Sequence, residues 1–233
     1  MAAKKRVIIL SDGSFEARLC EASIHDHPGV DVLCTFENVD VFDPMHKRIR
    51  HELTLGVDLM FSLFYPHIIP KKALDQLRIG AVNIHPSFLP WNRGYHTPFW
   101  GIMGYTPMGA TIHWVDEGID TGDIIGQAQF DVGTVMNAQD ARARQRKMCV
   151  TLFKKFFPKV VDGTAQRRKQ PHAIGSHHYK KDIIEATTFD GDHVVRMDQL
   201  IHLARATDCD GHGIYVRAGN GRFKVTMHVT REE

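Results

Sequence analysis

The 233-residue sequence lacks any long hydrophobic run and has a formal net charge of only +2. Basic residues 4–6 lead into the short apolar run 7–10, which is too brief for the core of a signal peptide. No later stretch approaches the roughly eighteen apolar residues of a membrane span. So small a net charge offers weak general attraction to nucleic acid or to an anionic membrane. The sequence therefore predicts a protein that binds neither nucleic acid nor a membrane.

Cysteine is scarce, and no two cysteines form a CxxC pair. A disulfide-stapled fold and a paired-cysteine zinc site are therefore both disfavoured. Scattered, unpaired thiols are typical of a reducing compartment, so we expect a cytoplasmic protein. The four cysteines are Cys20, Cys34, Cys149 and Cys209.

Several signatures of common catalytic sites are also missing. The loop after the first apolar run lacks the three glycines of a dinucleotide fingerprint, which disfavours a dehydrogenase. There is no phosphate-binding P-loop and no GxSxG serine motif. The fifteen histidines include the adjacent pair His177 and His178, but no HExxH motif occurs and no carboxylate or cysteine stands at ligand spacing. The sequence thus predicts no metal site.

What is present is an alternation of short apolar runs with helical patterns, which is typical of an α/β fold. We expect a Rossmann-like domain with a mostly parallel sheet over residues 1–165 and a linker over 166–189. A small C-terminal subdomain, residues 190–233, should contain a helix and a β-hairpin at Asn220-Gly221. Strands are predicted at 7–10, 30–36, 57–65, 81–85, 109–115 and 124–130, and long helices at 14–25, 136–161 and 197–206.

Chemistry-bearing residues concentrate in two segments. Asn83 and His85 stand two apart at the end of a predicted strand, so their side chains share one face. The carboxyl end of a parallel strand is where open α/β sheets hold their sites. An Asn-x-His pair alone is equally typical of a structural histidine. The second segment, 116–123, is rich in acidic residues and glycine; alone it indicates a turn, and it lacks the twelve-residue pattern of a calcium loop.

Together, residues 83–94 and 116–123 resemble the 10-formyltetrahydrofolate-dependent formyltransferases, whose hallmark is N-x-H-P-S-x-L-P followed by a D-x-G-type turn. The resemblance is closest over residues 57–130. It implies that 10-formyltetrahydrofolate is the formyl donor and that Asn83, His85 and Asp120 are the catalytic residues. It also implies a pterin pocket lined by His67, Ile69 and Leu74.

These residue types suit formyl transfer. An amine that attacks a formyl carbon generates an oxyanion and must lose a proton. Asn83 or His85 can donate to the oxyanion, which typically contributes about 10²–10³ in rate. A neutral His85 can instead accept the proton, contributing on the order of 10²–10⁴. Asp120 would orient the imidazole or relay a proton through water. The sequence leaves the division of roles between Asn83 and His85 open.

The substrate amine is indicated by the part of the chain that follows the long helix and by the loop at residues 90–95. Purine-pathway members of the family normally end after the long helix, whereas members acting on methionyl-tRNA continue into a complete β-barrel. Residues 90–95 resemble the P-x-N-R-G-aromatic loop of enzymes that formylate nucleotide-linked amino sugars. We therefore expect a dTDP-linked or other nucleotide-linked 3- or 4-amino-deoxysugar as substrate, within lipopolysaccharide biosynthesis.

In that loop, Trp91, Arg93 and Tyr95 are the candidate substrate contacts, although Arg93 and Tyr95 serve equally well to brace the loop. Three alternatives remain: formylation of methionyl-tRNA, formylation of glycinamide ribonucleotide, and hydrolysis of 10-formyltetrahydrofolate by water. The expected partners are the folate and the sugar nucleotide, and a homodimer is left open.

Overall fold

A computed structural model describes residues 3–43 and 46–230 of the chain. The strands are β1 (Lys5–Ser11), β2 (Val30–Glu37), β3 (Val57–Leu63), β4 (Leu77–His85), β5 (Arg93–Gly94), β6 (Met108–Trp114), β7 (Ile124–Phe130), β8 (His177–His178), β9 (Thr188–Asp190), β10 (Ile214–Ala218) and β11 (Gly221–Val225). The helices are α1 (Phe15–His25), α2 (Lys47–Thr54), α3 (Lys71–Leu74), α4 (Thr97–Met103), α5 (Ala138–Val161), α6 (Lys180–Ala186) and α7 (Met197–Thr207).

The central sheet has six strands in the order β2-β1-β3-β4-β6-β7. The pairings from β2 to β4 are parallel, whereas β6 runs antiparallel to both β4 and β7. The predicted α/β fold with a mainly parallel sheet is confirmed. All six predicted strands are present, and most of their ends lie within a few residues of the predicted bounds.

Helices cover both faces of this sheet, which explains why its central strands are apolar along their whole length. In β1, residues 7–10 are completely buried, alternating between the two main hydrophobic clusters. The long helix α5 packs Phe153 and Phe157 edge-on against Phe61 of β3, with ring centroids 5.6 and 5.4 Å apart. Phe153 and Phe157 of α5 therefore belong to the hydrophobic core.

The caps of α5 follow from its flanking residues. Asn137 accepts a hydrogen bond from the Asp140 N–H at 2.8 Å, so the helix begins at Ala138 rather than at the predicted residue 136. At the other end, Gly163 adopts φ +73°, the left-handed conformation that commonly ends helices.

The segment predicted as a linker, 166–189, contains regular structure. Arg168 pairs with Ile124 of β7, and β8 pairs with β5 in parallel. The seven-residue helix α6 buries Ile183 completely. The boundaries of the domains stay a prediction, but this segment packs on the sheet domain instead of standing free of it.

The C-terminal residues form the predicted helix and hairpin. Strands β10 and β11 pair around a turn in which Gly219 has φ +56°, and β9 completes a three-stranded sheet. Leu203 and Ala206 of α7 share a buried cluster with Phe99 and Ile102 of α4. The C-terminal part therefore packs against α4. In the described residues no helix has the length and apolar character to cross a bilayer, and all four cysteines are free thiols.

Candidate active site

The three predicted catalytic residues meet at the carboxyl end of β4. His85 ends that strand, and its Nδ1 lies 3.6 Å from Oδ2 of Asp120. The Asn83 amide nitrogen lies 3.5 Å from the other oxygen, Oδ1. Asp120 comes from the turn between β6 and β7, where its backbone has φ +53°. A non-glycine residue in the left-handed region is uncommon and is often found at functional sites.

Asp120 is held as a carboxylate. Burial of the group raises its pKa, but interaction with His85 and His113 and a hydrogen bond from the Gly94 N–H outweigh burial. The pKa of Asp120 therefore lies below its ordinary value of 3.8. The Gly94 N–H donates to Oδ2 at 3.0 Å, on the same oxygen that lies near His85. At neutral pH the imidazole of His85 thus lies beside a fixed negative charge.

The structure adds His113, which the sequence analysis missed. Its Nδ1 lies 2.8 Å from the Trp114 carbonyl, which can only accept, so Nδ1 carries the proton. Nε2 then accepts from the Asn83 amide nitrogen at 3.1 Å. Burial lowers the pKa of His113, although Asp120 opposes that shift, so the ring is neutral. His113 thereby fixes which way the Asn83 amide points.

A sequence signal for His113 existed. Thr111 and His113 are polar residues two apart in a strand that is otherwise apolar and fully buried. Their alignment opposite His85 and Asn83, however, depends on the antiparallel pairing of β4 and β6. A sheet assumed to be parallel throughout does not predict that alignment.

A cavity of about 550 Å³ opens over these residues. His85 is 7% exposed, and its buried Nε2 has no hydrogen-bond partner among the described residues. Buried polar atoms are normally paired, so an unpaired imidazole nitrogen on a cavity wall indicates a group that meets a ligand. Further lining residues come from the segment after β3 (Phe64, Tyr65, Pro66, His67, Ile68 and Ile69) and from the C-terminal side (Arg142, His177, His178, Tyr179, Lys180 and Asp210).

The remaining predicted site residues divide into two groups. His67, Ile69 and Tyr95 line the cavity. Leu74 does not; it packs in the hydrophobic cluster that includes Ile69. Trp91 and Arg93 also lie outside the cavity lining.

Arg93 is directed toward neighbouring chain segments. Its Nε lies 3.4 Å from the Ser176 carbonyl, and Nη1 lies 3.3 Å from Nδ1 of His172. Gly94, which lies between Arg93 and Tyr95, has φ +86°, and of the two flanking residues only Tyr95 lines the cavity. Of the two roles left open, Arg93 makes the contacts of a loop brace.

Two arginines of α5 line the cavity without having been predicted. The guanidinium of Arg146 binds Asp12 at 2.8 Å, lies 3.4 Å from Glu16, and stacks 3.8 Å over Phe64. It thereby ties the loop after β1 to the segment after β3. Arg142, four residues earlier, pairs with Asp210 at the C-terminal wall.

Gly94 allows a prediction about how Asp120 is positioned. A Cβ at Gly94 would lie 2.5 Å from the His178 carbonyl oxygen, so Gly94→Ala must move the N–H that binds Asp120. We expect a fall in turnover of at least about tenfold, as loss of one hydrogen bond to a charged group implies. Steady-state assays measure it.

The matched control is Gly163→Ala. Gly163 shares a positive φ, but a Cβ there would meet nothing within 4 Å. Both variants carry the same backbone strain of about 1–2 kcal/mol, and only Gly94→Ala adds the clash. Equal turnover in the two variants would show that the Gly94 contact does not position Asp120.

Comparison with known proteins shows the family to which this chain belongs. The sequence profile of the formyl transferase family matches residues 34–154. The methionyl-tRNA formyltransferase of Acetivibrio thermocellus is 29% identical over 150 residues, which cover 62% of this chain and 48% of that protein. The chain thus spans about half the length of the curated relatives it matches.

Solved structures share the fold more completely. A 4-N formyltransferase from Francisella tularensis aligns over 98% of this chain and 99% of its own, with TM-score 0.84 and 24% identity. The formyltransferase PseJ from Anoxybacillus kamchatkensis, solved with UDP-4,6-dideoxy-4-formamido-L-AltNAc and tetrahydrofolate, aligns over 77% and 88% with TM-score 0.63 and 25% identity. The family profile covers just over half of the 233 residues, and the chain therefore belongs to the formyl transferase family.

Proposed function

We propose that this chain transfers the formyl group of 10-formyltetrahydrofolate to the amine of a nucleotide-linked 3- or 4-amino-deoxysugar, with dTDP as the first nucleotide to test. The observation that carries the proposal is the convergence of Asn83, His85 and Asp120 on one cavity, with Nε2 of His85 unpaired. These are the residue types that attack by an amine on a formyl carbon requires.

The contacts support a division of roles. With Nδ1 of His85 3.6 Å from the Asp120 carboxylate, the ring proton is favoured on Nδ1 and the lone pair on Nε2. His85 is then the base that takes the amine proton, and Asp120 stabilises the imidazolium that forms. The Asn83 amide nitrogen lies 3.1 Å from His113 but 3.5 Å from Asp120, so its second N–H is only weakly engaged and is the one that would donate to the oxyanion.

The folate is assigned to the wall formed by the segment after β3. His67 and Ile69 line it, and Leu74 supports Ile69 from behind. Tyr65 is fixed there because its hydroxyl donates to the Val39 carbonyl at 2.7 Å. The tetrahydrofolate in the PseJ structure agrees with a folate donor for this chain.

The sugar nucleotide is assigned to the opposite, C-terminal wall. Tyr95 offers an aromatic face, and Arg142 and Lys180 offer positive charge for phosphates. The UDP-linked sugar in the PseJ structure, which is 25% identical to this chain, favours this substrate class. Methionyl-tRNA is the second candidate, because the sequence relatives carry that activity.

A panel of amines tests the assignment. The protein is incubated with 10-formyltetrahydrofolate and, separately, with dTDP-3-amino, dTDP-4-amino and UDP-4-amino sugars, glycinamide ribonucleotide, methionyl-tRNA, or no amine. We expect formylated sugar nucleotide and no formylated tRNA. Success with only the tRNA or the ribonucleotide would replace the substrate while keeping formyl transfer. Tetrahydrofolate released equally without any amine would identify a hydrolase.

The wider setting follows from the proposed substrate. Nucleotide-linked sugars are the building blocks of glycans, and we expect the proposed reaction to serve lipopolysaccharide biosynthesis. A cytoplasmic location and a homodimer remain separate predictions.

A further inference from the structure

Three potential metal ligands meet on the C-terminal side of the cavity, apart from Asn83, His85 and Asp120. His96 precedes α4, and Cys209 and Asp210 follow α7. One ligand atom from each lies within 4.8 Å of the others, and Nε2 of His96 lies 3.7 Å from Oδ2 of Asp210. His96 and Asp210 both line the cavity.

His96 is the residue whose burial and lack of hydrogen-bond partners point to a ligand. Its side chain is only 1% exposed, yet neither ring nitrogen makes a hydrogen bond of normal geometry with any described residue. An uncharged imidazole has one nitrogen with a lone pair, and no described residue is hydrogen-bonded to either nitrogen of this ring. Such a nitrogen is rare in a protein interior unless something binds it.

The three donor atoms indicate which metal ion would bind. Imidazole nitrogen, cysteine sulfur and carboxylate oxygen together suit Zn²⁺, whereas Mg²⁺ and Ca²⁺ prefer oxygen alone. Two ligand atoms about 2.1 Å from a tetrahedral zinc ion lie roughly 3.4 Å apart. The 3.7 Å separation of Nε2 and Oδ2 is close to that value, and because the three ligand atoms lie within 4.8 Å of one another, zinc binding would draw the most separated pair closer.

We propose that His96, Cys209 and Asp210 bind one Zn²⁺ ion, with a fourth position open to the cavity. The ion would join the loop before α4 to the turn after α7, and so fix the C-terminal part at the cavity wall. On binding, Zn²⁺ takes the sulfur as thiolate and the Cys209 proton passes to solvent. The inference does not depend on the formyl-transfer proposal.

Arg142 makes the proposal specific, because it competes for the same place. Its Nη1 pairs with Oδ2 of Asp210 and lies 3.7 Å from the sulfur of Cys209. A guanidinium there supplies the positive charge that a metal ion would supply. Binding of Zn²⁺ must therefore displace Arg142, and removing Arg142 should strengthen the binding.

Cobalt is the spectroscopic probe, since Co²⁺ replaces Zn²⁺ in tetrahedral sites and absorbs in the near ultraviolet when a thiolate binds it. Metal-free protein is titrated with Co²⁺, and Zn²⁺ affinity is then measured by competition with a chelator. We expect one equivalent of thiolate-bound Co²⁺. Cys209→Ala should abolish the absorption, His96→Gln should weaken Zn²⁺ binding at least tenfold, and Arg142→Gln should strengthen it at least tenfold.

The matched control is Cys34→Ala, which removes a thiol of another hydrophobic cluster and should leave the absorption unchanged. Absence of thiolate absorption, its persistence in Cys209→Ala, or unchanged or weaker binding in Arg142→Gln would overturn the site. Should Cys209→Ala fail to fold by circular dichroism, the opposite shifts expected of Arg142→Gln and His96→Gln decide the question.

Discussion

His85→Asn should fold normally and lose at least about a hundredfold in turnover. Asparagine is smaller than histidine and polar, and Asp120 keeps its hydrogen bond from the Gly94 N–H, so the variant should retain the fold. It cannot accept a proton near neutral pH, and loss of a general base typically costs on the order of 10²–10⁴ in rate. Steady-state kinetics with the amine found in the substrate panel measures the loss, and thermal unfolding measures the fold.

The control for this variant is His51→Asn, which makes the same chemical change at an exposed position on α2. It should retain full turnover. The Michaelis constant for the folate should stay within a few-fold in His85→Asn, because the base acts on the amine. Near-normal turnover in His85→Asn would remove His85 from the chemistry and leave Asn83 and Asp120 to be tested alone.

The sequence could predict that Asn83, His85 and Asp120 come together because each belongs to a short, specific motif. Asn83 and His85 share a strand face, and Asp120 belongs to the turn that the family motif includes. The parallel core strands were equally predictable, since strands buried on both faces read as continuous apolar runs. Both kinds of information are local in the chain.

Features that depend on distant pairing were not predictable in the same way. His113 reaches Asn83 only because β6 runs antiparallel to β4. The cluster of His96, Cys209 and Asp210 joins two regions far apart in the sequence, so no ligand spacing reveals it. The sequence prediction of no metal site rested on spacing alone, and it is this cluster that the cobalt titration examines.

The short elements α6 and β8 were not predicted from the sequence for a different reason. The helix α6 has seven residues and β8 has two, so neither shows enough of a period to stand out from a polar loop. Their places are fixed by tertiary contacts instead, namely the burial of Ile183 and the pairing of β8 with β5. Arg93 belongs to that pairing, which explains why a residue expected to meet the substrate contacts Ser176.

Asp120→Asn should reduce turnover by on the order of 10²–10⁴ while preserving the shape of the side chain. The amide keeps an oxygen that can accept from the Gly94 N–H, but it loses the negative charge beside His85. The imidazolium that forms as the amine loses its proton is then no longer stabilised. The matched control is Glu117→Gln, which removes one charge from an exposed residue of the same turn and should leave turnover unchanged.

Acid unfolding of the Asp120→Asn variant tests the charge of Asp120 independently of turnover. The pKa of Asp120 is depressed below 3.8 in the folded chain, so the unfolded chain binds the proton more tightly. The stability that ionised Asp120 contributes is therefore complete above pH 3.8 and is lost as the pH falls through the lower, folded value. The difference in unfolding free energy between the wild type and Asp120→Asn should shrink over that acidic window. A difference that did not change there would mean that the pKa of Asp120 is not depressed in the folded chain, and its proposed role as a carboxylate beside His85 would fail with it.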